Sequence, residues 1–580
     1  MRSWVGVMLI VTTSWVAQGR TSEPVDPTYD HANAQDAVTP ADDPTDAPEG
    51  TVVVVLQQGR IRTVGRSAFQ GRQEVYAFKG IPYARPPVGD LRLRDPVAAP
   101  PWPGVRDGTL APPRCPQRDY EGASFLVAGR EDCLFLSVYT PRPSRTADLP
   151  VMVWFHGGGF KSGSGAPYPR LADEGAVVVV SVQYRLGLLG FLSTEDAVIP
   201  GNLGLKDQAM ALRWVKENIR DLGGDPRKVT IFGESAGGAS VHYHILSPLS
   251  KGLFARAIMQ SGSALCPWAM ASNHAKMAIE VLQKLNCSDA SFPPLDSQGL
   301  LRCLQETPAH VLLELPSAEL KISEFAPRVD GAFLPAHPAT LLMEGRINAV
   351  DILSGTTQHE GASFVSYFFS RDEFPRYVND YFTTAAPEML FLEDGDSPAY
   401  LARRVFFQFV GRLGASRDDE EALVQMFGQR FNIVCQDETA LLHARTSPGK
   451  KVFAYEFRHR PSGRRRYVGH LDDLQLLFEG VAPPLSRPDD LFVSRLLLAM
   501  WTNFAKTGNP TPDLSLGFRW APMASGCLSF LAITPTPTMQ HDTRQEVRAF
   551  WTHLALPQNR ILYPAHFAPN VSPMPCPPTR

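Results

Sequence analysis

Residues 229–246 read VTIFGESAGGASVHYHIL and change from a strand pattern to a helical pattern around one serine. The first part, Val229 to Phe232, is a short, mostly apolar run of the kind that parallel sheets bury on both faces. The segment from Ala239 to Leu246 has helical spacing, and the small residues in between permit a sharp turn at Ser235. Such a turn exposes the serine hydroxyl and aims the helix N-terminus at it. The pentapeptide GESAG therefore predicts a nucleophilic serine in preference to a purely structural turn.

The same alternation of strands and helices continues on both sides of this stretch. Two further apolar runs, 151–155 and 176–182, have the pattern of buried strands, and residues 204–222 and 490–507 have amphipathic helical spacing. Alternating strands and helices predict a doubly wound α/β fold. Neither a repeat nor a linker interrupts residues 51–560, which are therefore expected to form one catalytic domain.

A glycine-rich loop, HGGGF at 156–160, follows the predicted strand that ends at Phe155. When a serine attacks an acyl group, N–H donors must bind the developing oxyanion, and glycines let backbone N–H groups converge without a Cβ in the way. The expected donors are Gly158, Gly159 and Ala236. The alternative is a flexible loop or a phosphate-binding turn, but a phosphate loop would lack the distant serine turn and usually ends in Lys followed by Ser or Thr.

The serine also needs a base and an acid that orients the base, in the chain order Ser, acid, His for this kind of turn. Residues 350–353 have the pattern of a strand, and Glu360 stands in the loop that follows it. Asp351 lies within the strand and is less suited to reach the site. Downstream, spacing does not choose among six histidines: His443, His459, His470, His541, His553 and His566.

The two ends of the chain differ in composition from the middle. Residues 1–19 have the pattern of a signal peptide, with a basic start, a short apolar run and small residues near a cleavage position. Residues 20–50 contain five prolines, eight acidic residues and one arginine, which predicts a disordered acidic leader. Residues 561–580 form a proline-rich tail, and no stretch is long and apolar enough to predict a membrane span. A secreted, extracellular protein is expected.

Charge excludes one broad class of partner. The chain has 580 residues with 56 Lys and Arg against 59 Asp and Glu, a net charge of -3, so no overall basic field favours nucleic acid. One dense basic run, 458–466, ends in Arg464 to Arg466. It is interpreted as a solvated loop, with a rim that steers anions toward the site as the alternative.

Four further motifs carry a family resemblance: FKGIPYA at 78–84, EDCLFLSVY at 131–139, GGDP at 223–226 and WTNFAKTG at 501–508. With the HGGGF loop and the serine turn, they make the chain resemble the type-B carboxylesterase/cholinesterase family from about Gly80 to about Phe550. Within that span, residues 235–268, which include SPLSKGLF at 247–254 and CPW at 266–268, most resemble arthropod carboxylesterases. The resemblance implies an α/β-hydrolase fold, in which a large, mostly parallel central sheet carries helices on both faces. It also implies a serine hydrolase that cleaves small-molecule carboxylic esters through an acyl-enzyme, without a cofactor or a metal.

The resemblance also assigns roles to residues that spacing left open. The family's acid is the Glu of a Glu-Gly pair, which matches Glu360, and its base precedes an acidic, apolar segment, which matches His470. Glu234, beside the nucleophile, is expected either to tune the field at the imidazolium or to be structural. Glu234, Phe325 and Trp268 are expected to line the substrate pocket.

Departures from the family pattern narrow the expected substrate. Cholinesterases have a Trp in the loop that corresponds to residues between Cys115 and Cys133, where its ring binds a quaternary ammonium; this chain has none there. A general carboxylesterase is therefore expected rather than a cholinesterase. The alternatives are a hormone-type esterase for sesquiterpenoid methyl esters, which usually has Gln where Glu234 stands, a stoichiometric scavenger, and a non-catalytic adhesion-type relative.

The resemblance implies two disulfides, Cys115–Cys133 and Cys287–Cys303. A third family bridge would join Cys435 to a residue near position 548, but Arg548 stands there, so Cys435 is expected to be free or to pair with Cys527. Cys576 is expected to be a free thiol, with a link between the subunits of a homodimer as the alternative, and Cys266 is left unassigned. Two glycosylation sequons begin at Asn286 and Asn570.

Overall fold

The computed structural model describes residues 38–39, 50–67, 74–121, 124–165, 169–285, 287, 296–315, 325–370, 372–463, 466–481 and 484–568. Several predictions lie outside these residues: the signal peptide, nearly all of the acidic leader, both sequons and most of the tail, together with Arg464, Arg465 and Cys576.

Most strands of the described chain are short. They are β1 (Val38–Thr39), β2 (Thr51–Val55), β3 (Arg60–Ser67), β4 (Glu74–Pro82), β5 (Val105–Asp107), β6 (Gln117–Glu121), β7 (Ser124–Ala128), β8 (Phe135–Thr140), β9 (Leu149–Phe155), β10 (Val178–Val182), β11 (Gly224–Glu234), β12 (Arg256–Gln260), β13 (Asp351–Thr357), β14 (Val452–Phe457), β15 (Ser529–Ile533) and β16 (Thr538–His541).

The α-helices lie mainly between the strands of the second half of the sheet. They are α1 (Arg170–Glu174), α2 (Gly187–Phe191), α3 (Leu203–Asn218), α4 (Ala236–Leu246), α5 (His274–Lys284), α6 (Ser297–Glu306), α7 (Ala309–Glu314), α8 (Pro338–Met343), α9 (Ala362–Phe368), α10 (Glu373–Asp380), α11 (Phe382–Met389), α12 (Pro398–Phe409), α13 (Glu420–Gly428), α14 (Val434–Thr446), α15 (Leu474–Leu477), α16 (Pro488–Thr507), α17 (Gln545–Thr552) and α18 (Pro557–Leu562). A π-helical turn, Gln429–Ile433, joins α13 to α14.

Within the described residues, fourteen strands form one sheet in the order β1-β5-β3-β4-β8-β10-β9-β11-β12-β13-β14-β15-β16, with β2 paired to β3. The seven strands from β10 through β15 in this order are parallel, whereas β8 and β16 close that block with antiparallel pairings. The carboxyl ends of parallel strands meet at one edge of the sheet, which is where ligands bind in such folds. The predicted α/β-hydrolase fold with a mostly parallel central sheet is confirmed.

Side-chain alternation along the central strands explains why helices cover both faces. On β9, Val151 and Val153 belong to the apolar cluster on one face, whereas Met152 and Trp154 belong to the cluster on the other. All four side chains are buried, so this part of β9 is apolar on both of its faces. The second cluster includes Trp501 of α16, the helix whose spacing was visible in the sequence.

Predicted element bounds differ from the structure by a few residues. The strand predicted at 229–232 is part of the eleven-residue β11, because Gly224 also pairs with Leu149 of β9, across a register shift that ends at Val229. The helix predicted over 204–222 is α3 followed by a 3₁₀ turn, Ile219–Leu222, that ends at Gly223 with φ 92°. Helix α18 runs across the expected boundary at residue 560, and Leu562 is buried.

Three disulfides lie within the described residues. Cys115–Cys133 and Cys287–Cys303 confirm the two expected bridges. The expectation that Cys435 is free or paired with Cys527 is wrong, because Cys435 is bonded to Cys266. The loop after β12 brings Cys266 to a Cα separation of 5.0 Å from the first turn of α14, and a sequence separation of 169 residues hid this proximity. Arg548 instead forms ion pairs with Asp437 and Glu438 of α14.

None of the helices in the described part of the chain combines the length and apolar character that crossing a bilayer requires.

Candidate active site

Ser235 occupies the turn between β11 and α4 in a backbone conformation that most residues avoid, with φ 57° and ψ -122°. Close backbone contacts enforce this turn. A Cβ on Gly237 would lie 2.0 Å from the carbonyl oxygen of Phe155, and a Cβ on Gly262 would lie 2.0 Å from that of Ser235. The Ser235 N–H donates to the Gln260 carbonyl across 2.9 Å. The structure therefore places Ser235 on the strained strand-to-helix turn that its sequence predicted.

The HGGGF loop lies directly against this serine. A Cβ on Gly157 would come within 3.1 Å of the Ser235 Cβ, and Gly158 and Gly159 both have positive φ values, 107° and 61°. A hydrogen bond holds the start of this loop in place: the Tyr184 hydroxyl donates to the His156 carbonyl across 2.7 Å. Ala236 begins α4, and N–H groups in the first turn of a helix have no acceptor within the helix.

Glu360 follows β13 at the carboxyl edge of the sheet and is 4% exposed. Its Oε1 accepts hydrogen bonds from the Ser261 hydroxyl at 2.5 Å and from the Thr357 N–H at 2.7 Å. Its Oε2 lies 2.6 Å from Nδ1 of His470. Of the six histidines that spacing left open, the structure brings His470 to this carboxylate.

The other downstream histidines of that set have different surroundings. His443 is buried 3.0 Å from the ring of His242, and His459 contacts Asp490 at 2.8 Å. His553 and His566 stack on each other near the end of the described chain, and His541 is exposed on β16.

Glu234 is fully buried, and its Oε1 lies 3.1 Å from Nε2 of His470. These two atoms do not form a hydrogen bond, and neither Glu234 oxygen has a hydrogen-bond partner among the described residues. Asp473 adds a third buried carboxylate, which accepts from the Gln260 amide at 2.7 Å. Sequence reasoning did not single out Asp473; its signal was the acidic pair Asp472-Asp473, which follows His470 after one leucine.

Three carboxylates around one imidazole shift the pKa values of the cluster. Burial lowers the pKa of His470, but attraction to Glu234 and then to Glu360 outweighs burial and raises it to about 9. Burial raises the pKa of Glu234 well above its ordinary value, against the attraction of His470. Burial also raises the pKa of Asp473 to about 6. The pKa values of both groups are thus raised, by burial for Glu234 and by charge for His470, and the titration of each group depends on the charge of the other.

The two aromatic residues expected in the pocket belong to one apolar cluster with Ala236. Trp268 is buried, packs near Phe160 with ring centres 6.4 Å apart, and donates its indole N–H to the Phe431 carbonyl. Phe325 is half-buried against the same cluster. In the described residues no group of three or more His, Cys, Asp or Glu side chains has the geometry of a metal site.

Comparison with known proteins places this architecture in a family. Residues 50–551 match the model of the carboxylesterase family. The chain is 37% identical to human carboxylesterase 5A over 76% of this chain and 79% of that protein, and 34% identical to human bile salt-activated lipase over 87% and 70%. It is 33% identical to venom carboxylesterase-6 of Apis mellifera over 75% and 82%. Both the match along the chain and these relatives show that the chain belongs to the carboxylesterase family.

Proposed function

We propose that this ester hydrolase works through a serine acyl-enzyme formed on Ser235. The observation that carries the proposal is the single imidazole, His470, whose Nδ1 is bound to the buried Glu360 while its Nε2 faces the residue next to Ser235. A base oriented by a carboxylate beside a serine on a strained turn is the arrangement that activates a hydroxyl.

In the first step, Nε2 of His470 takes the proton of the Ser235 hydroxyl as the oxygen attacks the ester carbonyl. The N–H groups of Gly158, Gly159 and Ala236 bind the oxyanion, and Glu360 stabilises the imidazolium. His470 then gives the proton to the leaving alcohol. Water repeats the attack on the acyl-enzyme and releases the acid.

Glu234 has a specific part in this scheme, which is to hold a proton. An imidazole with a raised pKa would be protonated at neutral pH and could not act as a base. We propose that Glu234 and His470 hold one proton between them; when it lies on Glu234, His470 is neutral and free to accept the proton of Ser235. The neighbouring carboxyl thus keeps the base neutral before attack.

For the substrate we propose small uncharged carboxylic esters rather than choline esters. The loop between Cys115 and Cys133 has no Trp, and the ring of its Phe125 is covered by the guanidinium of Arg118 at 4.5 Å. An aromatic face already paired with a cation from the protein is a poor site for a quaternary ammonium. Trp268, Phe160 and Phe325 offer an apolar lining for the acyl or alcohol group instead.

We further propose that the protein is secreted. The three disulfides suit an oxidising compartment, and the first nineteen residues have the pattern of a signal peptide. Expression of the full chain in a eukaryotic secretory host, followed by N-terminal sequencing of the protein in the medium, tests this. Recovery of the full-length N-terminus from the cytosol would contradict it.

The mechanism is tested with purified protein, Ser235→Ala and a matched control, Ser240→Ala, which removes a buried hydroxyl from the same helix. Short-chain nitrophenyl esters, butyrylthiocholine and a fluorophosphonate probe are the reagents. We expect nitrophenyl ester turnover to fall by about 10⁴-fold or more in Ser235→Ala and to persist in the control.

Each other outcome contradicts a stated part of the proposal. Labelling of Ser235 without turnover would indicate a stoichiometric scavenger or a narrow substrate, and neither labelling nor turnover would indicate a non-catalytic relative. Butyrylthiocholine hydrolysis as fast as that of the nitrophenyl esters would overturn the proposed substrate class.

A further inference from the structure

The helical segment α13–π turn–α14 packs directly behind the loop that carries Glu360. A Cβ on Gly361 would lie 2.2 Å from the Val424 carbonyl oxygen, and a Cβ on Gly428 would lie 3.6 Å from the Glu360 Cβ. These distances leave no layer of side chains between the helix backbone and the loop. The π turn, a rare feature that is frequent at functional sites, comes one residue after Gly428.

One side chain of the π turn is connected to Glu360 through a single residue. The buried Asn432 donates from Nδ2 to the carbonyl oxygen of Ser261, and the hydroxyl of Ser261 donates to Oε1 of Glu360. Ser261 has φ 51°, a backbone conformation that costs free energy for a residue with a Cβ. The Asn432 amide therefore holds the residue that orients one oxygen of the carboxylate.

The loop that contains Ser261 is fixed to the same helical segment at three further points. Cys266 is bonded to Cys435, the Trp268 indole donates to the Phe431 carbonyl across 2.9 Å, and Ser263 shares a hydrogen bond of 2.8 Å with Thr439. These contacts determine where Asn432 lies, because the π turn cannot shift along the loop while they persist. The Asn432 amide is thus held rigidly against Ser261.

We propose that Asn432 is a positioning residue for ester hydrolysis, which fixes the Ser261 carbonyl and through it the hydroxyl that orients Glu360 against His470. This inference rests on the proposed catalytic roles of Ser235, Glu360 and His470. Without the Asn432 amide, the Ser261 backbone relaxes toward an unstrained conformation and its hydroxyl leaves Oε1. Glu360 then turns, and the His470 ring loses its fixed orientation.

The same helix supplies a matched control in Gln436. Its Nε2 donates to the Met259 carbonyl at 2.9 Å and to the Ser354 hydroxyl at 2.8 Å. Gln436 is therefore also a buried amide bound to the sheet, and its acceptor Met259 lies two residues before Ser261. Among the described residues, none of its hydrogen bonds reaches the loop of Glu360. If Asn432 had a purely structural role, removal of either amide would have the same effect on the melting temperature and on the kinetic constants.

The experiment compares Asn432→Leu with Gln436→Met, two apolar replacements of similar shape. We expect Asn432→Leu to lower kcat for a nitrophenyl ester by about tenfold, with KM little changed. The acidic limb of the pH profile of kcat/KM should move to lower pH, because a misoriented Glu360 carboxylate stabilises the His470 imidazolium less. Gln436→Met is expected to lower the melting temperature and leave both kinetic readouts near wild type.

A double-mutant cycle with Ser261→Ala provides a second readout. Because both changes act on one hydroxyl, their effects on kcat should be less than additive, whereas Gln436→Met and Ser261→Ala should add. If Asn432→Leu does not fold, the same kcat and pH-profile measurements are made on Asn432→Gln, which keeps an amide but displaces it by one methylene. Wild-type kcat and pH profile in a folded Asn432 variant, or full additivity with Ser261→Ala, would overturn the proposal. An active Ser235→Ala enzyme would instead overturn the proposed function.

Discussion

The nucleophile side and the acid–base side of the candidate active site are held by different kinds of contact. Around Ser235, backbone lies against backbone, and Gly157, Gly237 and Gly262 leave no room for a Cβ. Around His470, carboxylates, hydroxyls and amides from separate loops meet through hydrogen bonds and charge. A single added methyl group is enough to push apart two backbones in contact. The strength of a hydrogen bond or of a charge interaction changes gradually with distance, orientation and protonation. The nucleophile side should therefore fail abruptly on substitution, and the acid–base side should respond gradually and with pH.

The largest effect is expected from Gly237→Ala on the nucleophile side. Gly237 lies in α4, where alanine is the better helix former by about 1 kcal/mol, yet its Cβ would meet the Phe155 backbone at 2.0 Å. We expect loss of ester turnover and of probe labelling, with a melting temperature well below wild type. Gly252→Ala is the control, because its Cβ meets no heavy atom within 4 Å although its φ is 75°. Equal behaviour of the two variants would show that contact with Phe155 is not what limits this turn.

Glu360→Gln tests the acid–base side at its orienting carboxylate. The amide keeps the shape but loses the negative charge, and it favours the wrong tautomer of His470, so kcat should fall by about 10³–10⁴-fold. The melting temperature should change far less than in Gly237→Ala. Comparison of kcat and calorimetric unfolding for the two variants measures the contrast directly. A loss of kcat smaller than tenfold would remove Glu360 from the proposed mechanism.

Glu234→Gln should give a smaller effect that appears mainly in the pH profile. Attraction to Glu234 is the first of the contributions that raise the pKa of His470, to about 9, so its removal lowers that pKa. The acidic limb of kcat/KM should then move to lower pH, with kcat at its optimum within about tenfold of wild type. Asp473→Asn should shift the limb in the same direction by less, because its attraction is the weakest of the contributions. A shift to higher pH in Glu234→Gln would contradict the attraction of Glu234 for the imidazolium.

Sequence reasoning agreed with the structure where a structural feature depends on neighbours in the chain. The serine turn, the HGGGF loop and the position of Glu360 after a strand could be read locally, because backbone sterics and helix or strand period act over a few residues. It failed to choose a base from the residues alone, since the histidines downstream of Glu360 differ in what surrounds them in space. The family resemblance named His470, and the structure brings that ring to Glu360.

Asp473 and the Cys266–Cys435 bridge mark a second limit. Asp473 matters because it is buried near His470, which raises its pKa. Its burial results from the packing of the sheet and helices, and the acidic pair in the sequence does not reveal it. Cys266 was left unassigned and Cys435 was assigned wrongly, because the loop after β12 and the start of α14 are adjacent only in the fold. The Asp473 carboxylate accepts from Gln260, 213 residues away, and the disulfide joins residues 169 apart.

The α/β class, the strained serine and the glycines around it could be predicted from local patterns, because they follow from the conformations that short stretches of backbone permit. The carboxylates around His470 and the contact of Asn432 with Ser261, which binds Glu360, depend instead on how distant segments pack. The order of strands in the sheet and the packing of α14 behind it set those distances. No local pattern encodes them, since the free energy of such contacts arises only when distant segments are buried together.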